Sequence, residues 1–188
     1  MRVTGGQWAN RAIAVPPGLG VRPTPDKVRQ AIFNSLGELV LERAVLELFA
    51  GSGALSLECL SRGAKSALCV EKSNRHAGYL RQNIRALGAN MEVRVQDAFT
   101  IVQQLAQSAR TFSLIMADPP YGEKNTDRRS ESVAQKLLDD SSLPSLLTFD
   151  GLFLLGHANR DRVEISDPWR ESKTLKHGDN WIKILTVN

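Results

Sequence analysis

From about residue 45 onward, short apolar runs alternate with stretches whose apolar positions recur at spacings of three and four. Such alternation predicts buried strands joined by amphipathic helices. Val45–Phe49 reads as the first strand of the series, followed by a glycine turn and a helix over Ala54–Arg62. A strand over Ala67–Val70 then leads to a helix over Asn74–Leu87, where Ala77, Leu80, Ile84 and Leu87 share a face, Asn74 is the expected cap and Gly88 the stop. The same rhythm gives strands over Glu92–Val95, Phe112–Ala117 and Leu152–Leu155, and helices over Ala98–Ala106 and Thr126–Leu138. Unbroken apolar runs in the strands suit a mainly parallel sheet covered on both faces. Near the end, Gly178-Asp179-Asn180 separates residues 170–177 from the alternating Trp181–Leu185, which predicts an antiparallel hairpin. Ahead of residue 45 the pattern changes to a short ribbon over Val3–Val15 and then a helix. For that helix Thr24 is the expected cap and Pro25 the first position, with the stripe Val28, Ile32, Phe33 and Leu36 ended by Gly37. The whole is an α/β architecture.

A chain of 188 residues with 42% hydrophobic and 23% charged content reads as one domain, 1–188, with residues 1–38 as an extension in front of a core over 45–188. No apolar run approaches the roughly 20 residues of a membrane span, and no signal-peptide h-region is visible, so no membrane partner and a cytoplasmic location are expected. Cys59 and Cys69 lack metal-ligand spacing and fall in apolar patterns, which makes them small buried hydrophobes. The net charge of +4 arises within residues 1–30, where Arg2, Arg11, Arg22, Lys27 and Arg29 face only Asp26. Together with Trp8, this basic arm is either a contact for nucleic-acid phosphates or an ordinary solvated surface.

Candidate chemistry lies where the strands run out. The run Phe49-Ala50-Gly51-Ser52-Gly53 joins a strand to a helix, and glycines are needed where a backbone approaches a ligand closely. Ser56 stands where a dinucleotide fingerprint would want a third glycine, which weakens a nicotinamide reading. Glu71 follows Gly51 by twenty residues, placing an acid where ribose hydroxyls are bound. Asp97, with Ala98 and Phe99 beside it, would receive an adenine, and Glu47, inside an apolar strand, suits the charged end of a ligand such as a methionine ammonium. Finally, Asp118-Pro119-Pro120-Tyr121 follows an apolar strand. An acid, a stiff turn and an aromatic ring there suit a flat ring carrying an exocyclic amine. Each position also has a plain alternative as a strand-end acid, helix cap or tight turn.

Taken together, Arg22-Pro23-Thr24-Pro25-Asp26-Lys27-Val28-Arg29-Gln30-Ala31-Ile32-Phe33-Asn34, the loop Leu48–Leu55 with Glu58 and Ser61-Arg62-Gly63-Ala64, and Asp118-Pro119-Pro120-Tyr121 resemble the bacterial RsmD family over nearly the whole chain. The resemblance implies a class I S-adenosylmethionine-dependent methyltransferase fold, Rossmann-like, with a seven-stranded, mainly parallel sheet. It implies S-adenosyl-L-methionine as methyl donor, S-adenosyl-L-homocysteine as product, and no metal. The implied acceptor is the N2 amine of a guanine in 16S rRNA, within the small ribosomal subunit or its assembly intermediate; a monomer is expected. Asp118, Pro119, Pro120 and Tyr121 would then be catalytic, and Glu47, Phe49, Ala50, Gly51, Ser52, Gly53, Glu71, Asp97, Ala98 and Phe99 would bind the cofactor. Arg22, Thr24, Arg29 and Asn34 would contact the substrate. Rival acceptors for the same motif are adenine N6 in DNA and a protein amide. A catalytically silent nucleic-acid-binding or ribosome-assembly protein could share the outline, though it would not need Gly51, Gly53, Glu71, Asp118 and Tyr121 all at once. Two departures from the family pattern stand out, Gly156-His157 after the fifth strand and His177-Gly178 in the hairpin.

Overall fold

Runs of Val, Leu, Ala and Cys form three adjacent parallel strands, β1 (Ala44–Leu48), β2 (Ser66–Val70) and β3 (Glu92–Arg94), ordered β3-β2-β1. The computed structural model describes residues 1–17, 24–121 and 129–188, in two compact units, Met1–Ala98 and Phe99–Asn188. In the first unit, β1 and β2 are buried almost throughout, as strands covered on both faces should be. Leu48 pairs with Val70 and Val70 with Arg94, so all three strands end at one edge. Between the strands run α2 (Ala54–Ser61), buried along its whole length, and α3 (Asn74–Leu87), which buries Ala77, Leu80, Asn83 and Leu87. The cap of α3 is Ser73, whose hydroxyl accepts from His76 N–H, and not Asn74, which is the first helical residue. Gly88 ends α3 in the left-handed region, as expected.

The N-terminal segment is built into this first unit. Residues 1–17 hold a single bridge between Arg2 and Ala12 and a short 3-10 turn, in place of a continuous ribbon. Its Val3 and Ile13 pack with Ala54, Leu57 and Leu87, and Trp8 lies half-buried against the same cluster, so it is no exposed aromatic. Helix α1 (Asp26–Leu36) carries the expected stripe and stops at Gly37, but Pro25 occupies the cap position and no side chain caps the helix. Thr24 contributes its backbone carbonyl, which accepts from the Arg29 guanidinium.

The second unit contains β4 (Phe112–Ala117), β5 (Leu147–Ala158), β6 (Trp169–His177) and β7 (Asn180–Val187), ordered β4-β5-β7-β6. β4 and β5 are parallel, and β5-β7-β6 are antiparallel, so the expected hairpin is present. β5 is longer than the apolar run Leu152–Leu155 suggested. It begins at Leu147, and a register shift opposite Phe112 and Leu114 lets the polar residues Thr148 and Asp150 and the exposed Phe149 sit beside it. Helix α4 (Ala98–Gln107) buries Ala98, Ile101, Val102 and Leu105. Helix α5 (Val133–Leu138) is shorter than the span expected from Thr126, and residues 126–128 lie outside the described residues. Its cap is Ser132, which accepts from Gln135 N–H, and Arg129–Glu131 precede it in non-helical conformation. Among the described residues no helix is long and apolar enough to cross a membrane.

Candidate active site

The turn after β1 begins with an unusual backbone. Phe49 has φ 59°, a left-handed conformation that costs a non-glycine residue about 1–2 kcal/mol. It is held by the next amide, Ala50 N–H, which donates to Val70 O at 2.9 Å, and Gly53 N–H closes the turn on Ala50 O at 2.7 Å. Gly53 must be glycine for two reasons, its φ of 75° and a position where a Cβ would fall 2.1 Å from Leu80 Cδ1 of α3. Gly51 is also left-handed, yet a Cβ there would meet nothing within 4 Å. One side of the turn is therefore packed on α3 and the other is open. Ser52 is buried, and its carbonyl accepts from Asn83 at 3.0 Å.

Glu71 ties the turn to the next strand. Its Oε2 accepts from Gly51 N–H at 2.8 Å and its Oε1 from Ser73 N–H at 2.8 Å, with His76 Nδ1 at 3.4 Å from Oε1. The carboxylate thus braces both the glycine turn and the start of α3. Each carboxylate oxygen has two lone pairs, so capacity for a ligand hydroxyl remains. Asp97 follows β3 at the same edge and pairs with Lys72 at 3.2 Å, and Ala98 is buried. Phe99 is half-buried and opens the second unit.

Glu47, expected to meet a ligand's ammonium, has its partners inside the first unit. At 3% exposure it lies inside the first unit, where its Oε2 accepts from Ser56 N–H in the first turn of α2 at 2.9 Å and lies 3.5 Å from Cys69 Sγ. Burial pushes its pKa up to about 7, against the opposing pull of its hydrogen bonds to Ser56 and Cys69. Cys59 and Cys69 are buried thiols outside any disulfide, and burial pushes their ionisation well up, as inert core cysteines should be.

In the second unit, Ala117 ends β4 opposite Leu155, and this pairing sets Asp118 beside Gly156 of β5. A Cβ on Gly156 would fall 2.4 Å from Asp118 Oδ1 and 3.3 Å from its Cα. The departure noted at Gly156 therefore has a physical reason, for only glycine leaves room for the carboxylate. Pro119 is buried and Pro120 exposed. Tyr121, half-buried, donates its hydroxyl to Asn180 Oδ1, where Asn180 is the buried first residue of β7, paired with Ala158 and with His177 of β6. Gly156 and Ala158 alternate onto one face of β5, so Asp118 and the Tyr121 hydroxyl address the same face of the β5-β7 pair. Asn180 was not legible as a site residue, because nothing in the hairpin's alternation says which loop its first residue will meet.

His157, on the other face, is a core histidine. Its Nδ1 lies 2.9 Å from Ala158 O and 3.0 Å from Asp161 O, and two carbonyl partners require that nitrogen to carry the proton. Burial, then the charge of Lys183, holds its pKa down, so it is neutral and stacks edge-on against Trp181.

Of the expected substrate residues, Thr24, Arg29 and Asn34 are among the described residues, and the first two are hydrogen-bonded to each other. Arg22 lies outside the described residues, and Asn34 is exposed on α1. Arg29 is fully buried, and no phosphate could reach it without unpacking the unit. Its guanidinium donates to Thr24 O at 2.9 Å, to Asp26 Oδ1 at 3.0 Å and to Arg2 O, and its Nε lies 3.9 Å from Glu58. Glu58, also fully buried, accepts from Thr4 N–H and Oγ–H at 2.8 and 2.7 Å and from Arg62 at 2.9 Å. The N-terminal signature thus includes a buried charge cluster that fastens the first residues to α1 and α2.

Comparison with known proteins gives this arrangement a context. A family model described as Conserved hypothetical protein 95 matches residues 1–184. The chain belongs to this family, that of the RsmD proteins. Ribosomal RNA small subunit methyltransferase D of Escherichia coli K12 is 38% identical over 122 residues, which are 64% of this chain and 60% of that protein. The match thus spans well under two thirds of that relative's length. A putative rRNA methyltransferase of Bacillus subtilis, YlbH, is 34% identical over 126 residues, 66% of this chain and 68% of that protein. Among solved structures, a putative methyltransferase from E. coli superimposes with a TM-score of 0.81 at 27% identity, covering 100% of this chain and 98% of that one. A 16S rRNA N2 G1207 methyltransferase of Thermus thermophilus, solved with AdoMet and guanosine, has a TM-score of 0.71 at 22% identity over 89% of this chain and 44% of that one. The fold of the RsmD-family chain is accordingly the class I methyltransferase fold, mainly parallel with a C-terminal antiparallel hairpin. The first unit's open glycine turn, with a carboxylate on the next strand, fits a nucleoside-bearing donor such as S-adenosylmethionine.

Proposed function

We propose that the chain is an S-adenosylmethionine-dependent methyltransferase that modifies the N2 amine of a guanine in 16S rRNA of the small ribosomal subunit, as a cytoplasmic monomer. The observation that carries this reading is the Asp118–Tyr121 motif, with its acid seated against Gly156 and its tyrosine tied to Asn180. The family membership supports it, as does the guanosine held by a structural relative of the same fold. When bound, S-adenosylmethionine supplies an electrophilic methyl group on a sulfonium. In the first unit Gly51, with its open side, and Glu71, with the lone pairs that Gly51 and Ser73 leave free, are the residues that would hold the donor and its ribose hydroxyls.

The guanine amine is a poor nucleophile because its lone pair is delocalised into the ring. Asp118 and the Pro119 carbonyl accept its two hydrogens, which favours a pyramidal nitrogen as bonding begins. Tyr121 stacks on the base, which must be unpaired or flipped out to reach it. The motif's main task is thus to hold and orient the amine. After transfer the amine is acidic, and Asp118 accepts the released proton.

The test separates two roles. Asp118→Ala should abolish transfer and leave donor affinity within a few-fold. Glu71→Ala should weaken donor binding, because it removes both a ligand contact and the brace on Gly51. Equal losses of donor affinity in the two variants would defeat the division.

A further inference from the structure

Exposed cations are not confined to the first thirty residues. Between Glu71 and Glu92 the sequence holds Lys72, Arg75, Arg81 and Arg85 and no acid. All but Lys72 lie on α3, whose buried face is Ala77, Leu80, Asn83 and Leu87. At 100° per residue, Arg75, Gly78, Arg81, Gln82 and Arg85 fall within about a third of the circumference on the opposite side, and all are exposed. No carboxylate among the described residues pairs with Arg75, Arg81 or Arg85.

The N-terminal strap lies along this helix. Arg11 donates to Ala86 O at 3.1 Å, Ala14 exchanges two 2.8 Å hydrogen bonds with Asn83, and Arg75 donates to Pro17 O at 3.2 Å. Arg11 is itself exposed. Arg11 thus joins the arginines of α3 on one ridge, about 15 Å long from Arg75 to Arg85 at 1.5 Å per residue. Midway, Gly78 adds no side chain, and a Cβ there would meet nothing within 4 Å, so a ligand backbone can lie close to the helix. A row of exposed arginines with no acid along the helix matches the repeating phosphates of RNA rather than a folded protein epitope. The guanidinium fork pairs with phosphate oxygens in bidentate fashion.

We infer that the outer face of α3, with Arg11 of the strap, is an RNA-phosphate-binding ridge that holds the rRNA while its target base is modified. The inference rests on the rRNA reading of the active site. Arg81 and Arg85 are the residues to change, because Arg75 and Arg11 also fasten the strap. Binding of Arg81→Gln/Arg85→Gln and of Arg81→Glu/Arg85→Glu to small-subunit particles and to naked 16S rRNA is measured from 50 to 200 mM salt. Donor affinity and melting temperature are followed in parallel. With about 0.7–0.9 in the salt slope per phosphate contact, the glutamine pair lowers the slope by about 1.5. Over that fourfold range of salt, the change in affinity shrinks about eightfold. The glutamate pair lowers affinity further, with donor binding unchanged. Unchanged affinity and slope in both pairs, while the wild type methylates rRNA, overturns the ridge alone. Weaker binding to particles with unaltered binding to naked rRNA also overturns it, since the helix would then meet a ribosomal protein. A wild type that transfers no methyl to RNA overturns the reading beneath it.

Discussion

Gly156→Ala is the sharpest perturbation of the proposed chemistry. The added methyl would lie 2.4 Å from Asp118 Oδ1, 3.0 Å from Cγ and 3.3 Å from Cα. Ordinary carbon contacts begin near 3.5 Å, so the carboxylate must retreat by about 1 Å, and the tight contact at Cα involves the turn itself. Overpacking of this kind costs about 1–3 kcal/mol of stability, a fall of about 2–12 °C in melting temperature for a chain of this size. A misplacement of about 1 Å costs about a hundredfold in rate. The assay is initial-rate methyl transfer to small-subunit particles, with calorimetric donor binding and melting on the same preparations. The expected outcome is kcat down about a hundredfold with donor affinity within twofold. Gly151→Ala is the control, because on the same strand its Cβ would press on Leu147 at 2.8 Å and Thr148 O at 2.9 Å, away from Asp118. It should lower the melting temperature by a similar amount and leave kcat nearly intact. Full activity in the Gly156 variant, or equal losses of kcat in both, would refute the argument that Gly156 exists to seat Asp118.

Three further outcomes follow from buried groups. Glu47, with its pKa raised to about 7 from 4.5 in the folded protein, binds its proton more tightly folded than unfolded, so its contribution is complete below about pH 4.5 and is lost as pH rises through 7. The loss is about 3 kcal/mol, and Glu47→Gln should flatten the fall in urea stability between pH 5 and 8; an identical slope in both proteins would exclude the effect. Arg29→Met should destabilise by about 3–5 kcal/mol, because buried Glu58 loses one of its two cations among the described residues and the carbonyls of Arg2 and Thr24 lose their donor, whereas a variant of normal stability and altered salt dependence would restore Arg29 to the substrate surface. Tyr121→Phe and Asn180→Ala should each lower kcat/KM about fivefold, the worth of about 1 kcal/mol. Asn180→Asp should retain activity because it still accepts from the hydroxyl, and additive losses in the Tyr121→Phe/Asn180→Ala pair would show that the bond does not couple them.

The strands of the α/β core were legible because burial on both faces leaves an unbroken apolar run, and β1, β2 and β4 lie within a residue or two of where the pattern put them. What the pattern hides is pairing at long range. The start of β5 is polar, and only its neighbour β4 makes it a strand. Ser73 and Asn74 are both competent caps, and the choice between them is made where Glu71 grips Ser73 N–H. Spacing alone puts Glu71, Asp97 and Asp118 after strands, but it cannot tell Glu47 and Arg29 from ligand-binding charges, because charge in sequence carries no record of burial. In both cases the partner, Ser56 N–H for Glu47 and Glu58 for Arg29, lies on α2. The basic ridge is hidden in the sequence for the reverse reason. Summed over the rest of the chain its cations cancel against acids such as Glu47 and Glu58, which are buried elsewhere.

The central claim is a reaction, and one experiment tests it most directly. The purified chain is incubated with methyl-labelled S-adenosylmethionine and small ribosomal subunits that lack the modification, and the digested RNA is resolved into nucleosides. The account predicts label in N2-methylguanosine, absent with the Asp118→Ala variant. Label in any other nucleoside or in protein, or none while the donor binds, would contradict it.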